Sequence, residues 1–389
     1  MTVKSLRRSV ITQKQGASNR TARQINRNLV FHLIRTYHPV SRAEISRLSG
    51  LQRSTVSLIV EDLLRHQWIR EGSSCIARGS PTFLELNRDR AVIAIDLRPS
   101  KATVAAIDFG GRILSENVIM QPLHPRDAAR LLVDATVELM AAQKGRPLDG
   151  VGISVIGRTY PSSDKLAPKA DWLISPIRSS IQEATGLRVV VDNVANACAL
   201  SEVWFGNSAV GKDLVAVDVS DVIVSGIFAN GRLLRGARGM AGDFSHVKID
   251  PGGARCDCGM YGCWQSVASN GAALRYYKEI SGDMGLQSPK NFASLAKLAR
   301  AQNSYAIRAI EKMAIYLGQG LRVIASTIAP HEVVIVGELT TAWSILGPAV
   351  EATLEKNAIA PAPKLRPIID AKLARLRSAV ALVMKGDVI

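Results

Sequence analysis

Arg255-Cys256-Asp257-Cys258-Gly259-Met260-Tyr261-Gly262-Cys263-Trp264 gathers three of the chain's five cysteines within eight residues, and His246 lies ten residues before the first of them. Three thiolates and one imidazole make a closed tetrahedral zinc site, the kind that supports structure. Gly259 and Gly262 relax the backbone between the sulfurs, as a tight chelating loop requires. A disulfide and chance clustering are the competing readings. A Cys-x-Cys bridge would be strained, and Met1-Thr2-Val3-Lys4-Ser5-Leu6-Arg7-Arg8 contains no apolar signal segment. The expectation is a structural Zn²⁺ held by His246, Cys256, Cys258 and Cys263 in a cytoplasmic protein, where thiols stay reduced. Cys75 and Cys198 stand alone and read as ordinary small residues.

With Gly242-Asp243-Phe244-Ser245-His246 ahead of it, the cysteine run from Cys256 to Cys263 resembles the signature of the ROK family (repressors, open reading frames, kinases). The resemblance extends from about Asn19 to the end of the chain. It implies an α/β body of the two-lobed, actin-like ATPase type with a cleft between the lobes. The family contains sugar kinases and sugar-responsive repressors, and the rest of the sequence bears on which branch applies.

A chain of 389 residues is long enough for two or three units. Hydrophobic content of 47% with 21% charge is that of a soluble globular protein. No apolar run reaches the roughly 18 residues of a membrane span, so no membrane partner is expected. The net charge of +16 is uneven: residues 1–90 hold sixteen Lys or Arg against six Asp or Glu, leaving +10. A basic head on a nearly neutral body points to nucleic acid.

Residues 1–18 are polar and aperiodic and read as a flexible basic arm. Ile25, Leu29, Val30, Leu33 and Ile34 follow helical spacing up to His38-Pro39. Ser41-Arg42-Ala43-Glu44 is a capping box that opens a short second helix, and Gly50 closes it. A third helix runs from about Arg53 to His66, with Val56, Ile59, Val60 and Leu63 on one face. Gln67–Glu71 and Phe83–Leu86 read as wing strands, with Ala77–Pro81 at the tip. Residues 19–87 thus form an α+β winged helix-turn-helix domain, and residues 88–389 the effector-binding and dimerisation body. A three-helix protein-binding module is the alternative. The third helix would enter the major groove of an operator duplex. The candidate DNA-binding residues are Arg42, Gln52, Arg53, Ser54, Thr55, Ser57 and, at the wing tip, Arg78. The same stretch resembles the DNA-binding head of ROK repressors, which the kinases lack.

In the body, apolar runs at Val92–Ile95, Ala102–Ile107, Ile113–Val118, Gly150–Val155, Arg188–Val191 and Leu214–Val219 predict strands, and Pro125–Gln143 a helix. Asp108-Phe109-Gly110-Gly111-Arg112 is a hairpin turn rather than a phosphate loop, since it joins two apolar runs. The resemblance to the kinases implies further features, and this chain departs from each. The first phosphate loop reads Asp96-Leu97-Arg98-Pro99-Ser100-Lys101, without glycines. The second carries Val222 and Val224 where glycine is expected. The general base of Asn-Asp-Ala-Asn is Val194 in Asn193-Val194-Ala195-Asn196. Val336-Gly337-Glu338 replaces a Gly-Gly pair near adenosine. Phosphotransfer is therefore not expected, because positioning and charge stabilisation are most of that catalysis. The sugar contacts implied by the resemblance fall on Asn193, Asp243, His246 and Gln265, two of them conservative changes. The expectation is a homo-oligomeric regulator, dimer or tetramer, that binds double-stranded DNA and a sugar or sugar derivative. A kinase with a fused head, or a constitutive DNA-binding protein whose polar remnants only orient the zinc loop, are the alternatives.

Overall fold

The computed structural model describes residues 22–23, 25–72, 82–98, 101–119, 125–156, 174–206, 212–282, 288–356 and 361–386. The head holds α1 (residues 25–37), β1 (Val40–Ser41), α2 (Arg42–Ser49), α3 (Arg53–Arg65), β2 (Ile69–Glu71) and β3 (Phe83–Leu86). The Glu44 N–H donates to Ser41 Oγ at 3.3 Å, which satisfies an otherwise orphaned donor at the start of α2. Only this half of the capping box forms; the Glu44 carboxylate lies 3.7 Å from Arg47 one turn along. Gly50, at φ 70°, ends α2 with its N–H on Ser46 O. The antiparallel sheet has the order β1-β3-β2, with Val40 opposite Leu84 and Ile69 opposite Leu86. A strand of two residues has no periodicity, so β1 is invisible in the sequence. The expected wing tip, Ala77–Pro81 with Arg78, lies outside the described residues, as does Cys75.

The body opens with β4 (Ala91–Leu97), β5 (Ala102–Asp108), β6 (Ile113–Ile119), α4 (Pro125–Ala142), β7 (Leu148–Val155), α5 (Ile174–Thr185), β8 (Val189–Asn193) and α6 (Val194–Phe205). It continues with β9 (Leu214–Val219), β10 (Ile223–Ala229), β11 (Arg232–Leu234), α7 (Trp264–Ala268), α8 (Asn270–Ser281), α9 (Phe292–Arg300) and α10 (Ser304–Ile328). The last elements are β12 (Glu332–Val336), α11 (Trp343–Glu355), β13 (Lys364–Pro367) and α12 (Ala371–Gly386). The two sheets have the orders β6-β5-β4-β7-β8 and β11-β10-β9-β12-β13. In each, three antiparallel strands are followed by two parallel ones, so the lobes repeat one topology. The Asp108–Arg112 segment is the expected hairpin turn between β5 and β6, with Gly111 at φ 81°.

Between the sheets lie two helices packed on each other, α12 against β4 and β7 and α6 against β9 and β10. The outer faces are covered by α4 on the first sheet and by α8 to α11 on the side of the second. The core of the head does not stop at its last strand. Phe31 and Trp68 meet Trp204 of α6 edge to face, with ring centroids 5.1 and 5.3 Å apart, and Trp68 also meets Phe109. These rings join one buried cluster that runs from the head into the layer of α6 and α12. Arg35 extends the contact by donating to Gly206 O at 2.9 Å. No helix among the described residues is long and apolar enough to cross a membrane.

Candidate functional site

The ligating atoms of His246, Cys256, Cys258 and Cys263 all lie within 4.8 Å of one another. Cys258 Sγ is 3.6 Å from Cys263 Sγ, and His246 Nδ1 is 3.6 Å from Cys256 Sγ. Tetrahedral zinc geometry puts two sulfurs about 3.8 Å apart and a nitrogen–sulfur pair about 3.5 Å apart. The residues therefore fit a metal ion of that geometry. The described cysteines are free, which removes the disulfide reading for all but Cys75. The loop is shaped by its glycines: a Cβ on Gly262 would lie 1.4 Å from Asp250 O, and Gly262 sits at φ 70°. Trp264 anchors the loop. Its indole is fully buried, donates to Tyr316 O at 3.1 Å, and fills a notch that a side chain at Gly320 would close.

The four sugar-contact candidates sit on elements that converge. Asn193 caps α6, accepting from Ala195 N–H at 2.8 Å. Gly226 of β10 packs against Ala195 O so closely that a Cβ would lie 2.4 Å away. Gly242 packs in the same way on Ser225 O, at 2.5 Å. Two bare-backbone contacts thus bring the start of α6, β10 and the Asp243–His246 turn together. Asp243 is exposed and accepts from Ser245 Oγ, His246 is exposed, and Gln265 is half-buried at the start of α7. Val194 is fully buried in the core. Asp192 is buried and paired to Arg235, and it also orders Asn193 N–H and the Asn196 amide. Arg235 was not recognisable from the sequence, since its partner is 43 residues away.

Asp96 and Arg98 of the first stretch compared with a phosphate loop meet Glu338 and Asp218 of the other lobe around two buried guanidiniums. Arg98 bonds Asp96 at 3.0 Å and Glu338 at 3.4 Å. Arg375 of α12 bonds Asp218 at 2.7 and 2.9 Å and Glu338 at 3.1 Å. Asp218 is the penultimate residue of the fully buried strand β9, and Asn270 donates to the other Glu338 oxygen at 3.2 Å. Burial would lower the Arg375 guanidinium, but the Asp218 carboxylate holds it above its ordinary value. Burial would likewise raise the Glu338 carboxyl, but Arg375 and Arg98 hold it below 4.5. Two cations and three carboxylates from both lobes thus pair with one another, a formal excess of one negative charge, so neither guanidinium is a free donor for a phosphate.

On α3, Val56, Ile59, Val60 and Leu63 face the core. Gln52, Arg53 and Ser54 are exposed, and Thr55 and Ser57 are half-buried. Arg42 of α2 is tied to Glu71 of β2 at 3.2 Å. Leu58, Glu61 and Arg65 are exposed on the same helix and were missed by a reading that stopped at Ser57.

Residues 92–383 match the ROK family. The xylose repressor of Caldicellulosiruptor bescii is 32% identical over 267 residues, covering 66% of this chain and 67% of its own. The DNA-binding transcriptional dual regulator NagC of Escherichia coli K12 is 27% identical over 373 residues, covering 92% of this chain and 91% of its own. A crystal structure of a ROK family transcriptional regulator, a homolog of the E. coli MLC protein, superposes with a TM-score of 0.71 at 24% identity over 95% of this chain and 99% of that one. A ROK glucokinase from Streptomyces griseus, in complex with glucose and AMPPNP, gives 0.67 at 25% identity, its whole length matching 76% of this chain. The two-lobed body has the actin-like fold of these proteins.

Proposed function

Because the chain belongs to the ROK family, we propose that it is a DNA-binding transcriptional regulator, a repressor, controlled by a sugar or sugar derivative bound in a catalytically inactive kinase-like body. Residues 1–18 act as a basic arm, 19–87 as a winged helix-turn-helix head and 88–389 as the effector-binding and dimerising body of a cytoplasmic protein. Arg42, Gln52, Arg53, Ser54, Thr55, Ser57 and Arg78 meet the operator. Asn193, Asp243, His246 and Gln265 meet the sugar. His246, Cys256, Cys258 and Cys263 hold zinc, the metal that suits a thiolate-rich tetrahedral set. With four protein ligands no coordination position is open, so the ion supports the loop that carries His246.

The observation that carries this reading is α6. Its first turn is capped by Asn193, among the sugar-contact candidates, and Trp204 in its last turn is part of the ring cluster that seats the head. The helix is buried along most of its length, so a displacement at one end is passed to the other rather than absorbed. In a homo-oligomer that motion changes the spacing of two heads and their fit to two half-sites. A ligand shifts this equilibrium only by its differential affinity for the two arrangements.

Loss of phosphotransfer belongs to the same proposal. Val194 accepts no proton, Pro99 offers no N–H, and Arg98 and Arg375 are committed to carboxylates. A thermal-shift screen of sugars, followed by operator titration with and without each hit and a coupled ATP assay, tests the whole. A sugar that raises the melting temperature and changes operator affinity, without turnover, is the expected result. ATP-dependent turnover by the unmodified protein would make it a kinase, and no sugar response at all would make it a constitutive DNA-binding protein.

A further inference from the structure

We infer that Leu58 is a specificity-determining residue of the DNA-binding face and reads the methyl group of a thymine in the major groove; this rests on the DNA-binding reading above. Leu58 is 66% exposed, whereas the other β-branched or leucine side chains of α3 that build its inner face are at most 7% exposed. Successive helical residues turn by about 100°. On that wheel Val56, Ile59, Val60 and Leu63 define the inward direction. Ser54, Leu58, Glu61 and Arg65, all exposed, fall within about 30° of the outward one, and Arg53 lies about 110° from it. Leu58 is thus at the centre of the face that the head turns away from its core, with Ser54 one turn before it and Glu61 nearly one turn after. Arg53 must reach in from the flank.

The occupant of that face follows from charge. The first 90 residues carry +10, α3 follows a short helix and a Gly50 turn, and its outward side is otherwise polar. That combination fits the major groove. Base edges there present hydrogen-bond donors and acceptors, and the thymine C5-methyl is their one distinctive apolar group. Leucine makes no hydrogen bond, so at the centre of the face it discriminates by covering that methyl. Phosphates would take no part, since an apolar side chain gains nothing from them.

The test uses the full chain and a duplex that it selects from a random-sequence pool. Each thymine of the selected duplex is replaced singly by deoxyuridine, which removes only the methyl. At one thymine per half-site the wild type is expected to lose about three- to five-fold in affinity, the effect of one buried methyl. Leu58→Ala is expected to bind the parent duplex more weakly by a similar factor, to be indifferent to that uracil, and to bind scrambled duplex as the wild type does. Because the side chain is exposed, Leu58→Ala is expected to keep the melting temperature of the wild type, which controls for misfolding. A flat uracil scan for the wild type, or a uracil effect that persists in Leu58→Ala, overturns the assignment. So does a change of oligomeric state in Leu58→Ala, which would make Leu58 part of a contact between copies. If the wild type enriches no sequence, the DNA-binding reading itself fails; enrichment with a flat scan removes Leu58 alone.

Discussion

Replacing Arg375 by leucine tests whether the charge cluster between the lobes holds them together. Arg375 is 2% exposed and Asp218 is fully buried. The substitution removes two hydrogen bonds from Asp218, at 2.7 and 2.9 Å, and one from Glu338, at 3.1 Å. Asp218 would retain Ser220 Oγ at 3.2 Å and the Arg98 guanidinium at 3.9 Å. Breaking a buried pair by removing one partner costs about 3–5 kcal/mol, mostly because a charge is left uncompensated. Arg98 is near enough to compensate partly, so the expected loss is about 3 kcal/mol, at the low end. Adding Asp218→Asn removes the stranded charge. The double variant should then be less destabilised than the sum of the two single ones, by about 1–2 kcal/mol, as expected for neighbours in one network. Urea titrations followed by tryptophan fluorescence compare the four proteins in the same transition. Arg375→Leu within about 0.5 kcal/mol of the parent, the range of an ordinary surface change, would refute the reasoning. So would strict additivity of the two substitutions.

Elemental analysis of protein purified without added metal should find about one zinc per chain. Its removal by a chelator should speed amide exchange across residues 247–264 and lower the melting temperature, as should Cys258→Ser, because metal binding and local folding are coupled. Trp204→Ala removes a side chain that is 2% exposed and two ring contacts, so a loss of about 3–5 kcal/mol is expected. Calorimetry should resolve a separate, earlier transition for the head; a single unshifted peak would show that the ring cluster does not seat it. The Glu338 carboxyl is held below 4.5, so its contribution is present above that value and is lost as pH falls through its lower folded value. The stability difference between wild type and Glu338→Gln should accordingly be constant near neutrality and shrink as the pH falls below 4.5. A difference that grows with acid would contradict the pairing.

The sequence alone determined the features whose causes are local. Ser41 and Gly50 bound α2 because capping and left-handed closure involve residues within one turn. The inner face of α3, the Asp108–Arg112 hairpin, the five strands of the first sheet and β9 of the second follow from periodicity and turn chemistry. The cysteine run was legible because four ligands in eighteen residues leave few other arrangements. What was not legible depends on segments distant in the chain. That the two lobes repeat one strand order is a matter of pairing, which no periodicity encodes. The glycines at 226 and 242 are required by backbone contacts with Ala195 and Ser225 that exist only after folding. Reading Arg98 and Glu338 as lost glycines identified what the cleft lacks. Only the tertiary structure brings Arg375, 277 residues after Arg98, to the same carboxylates, because compensation of buried charge is set by distance in space and not by position in the chain. The head's attachment is of the same kind: Phe31, Trp68, Phe109 and Trp204 are unremarkable apolar residues until packing puts them in one cluster.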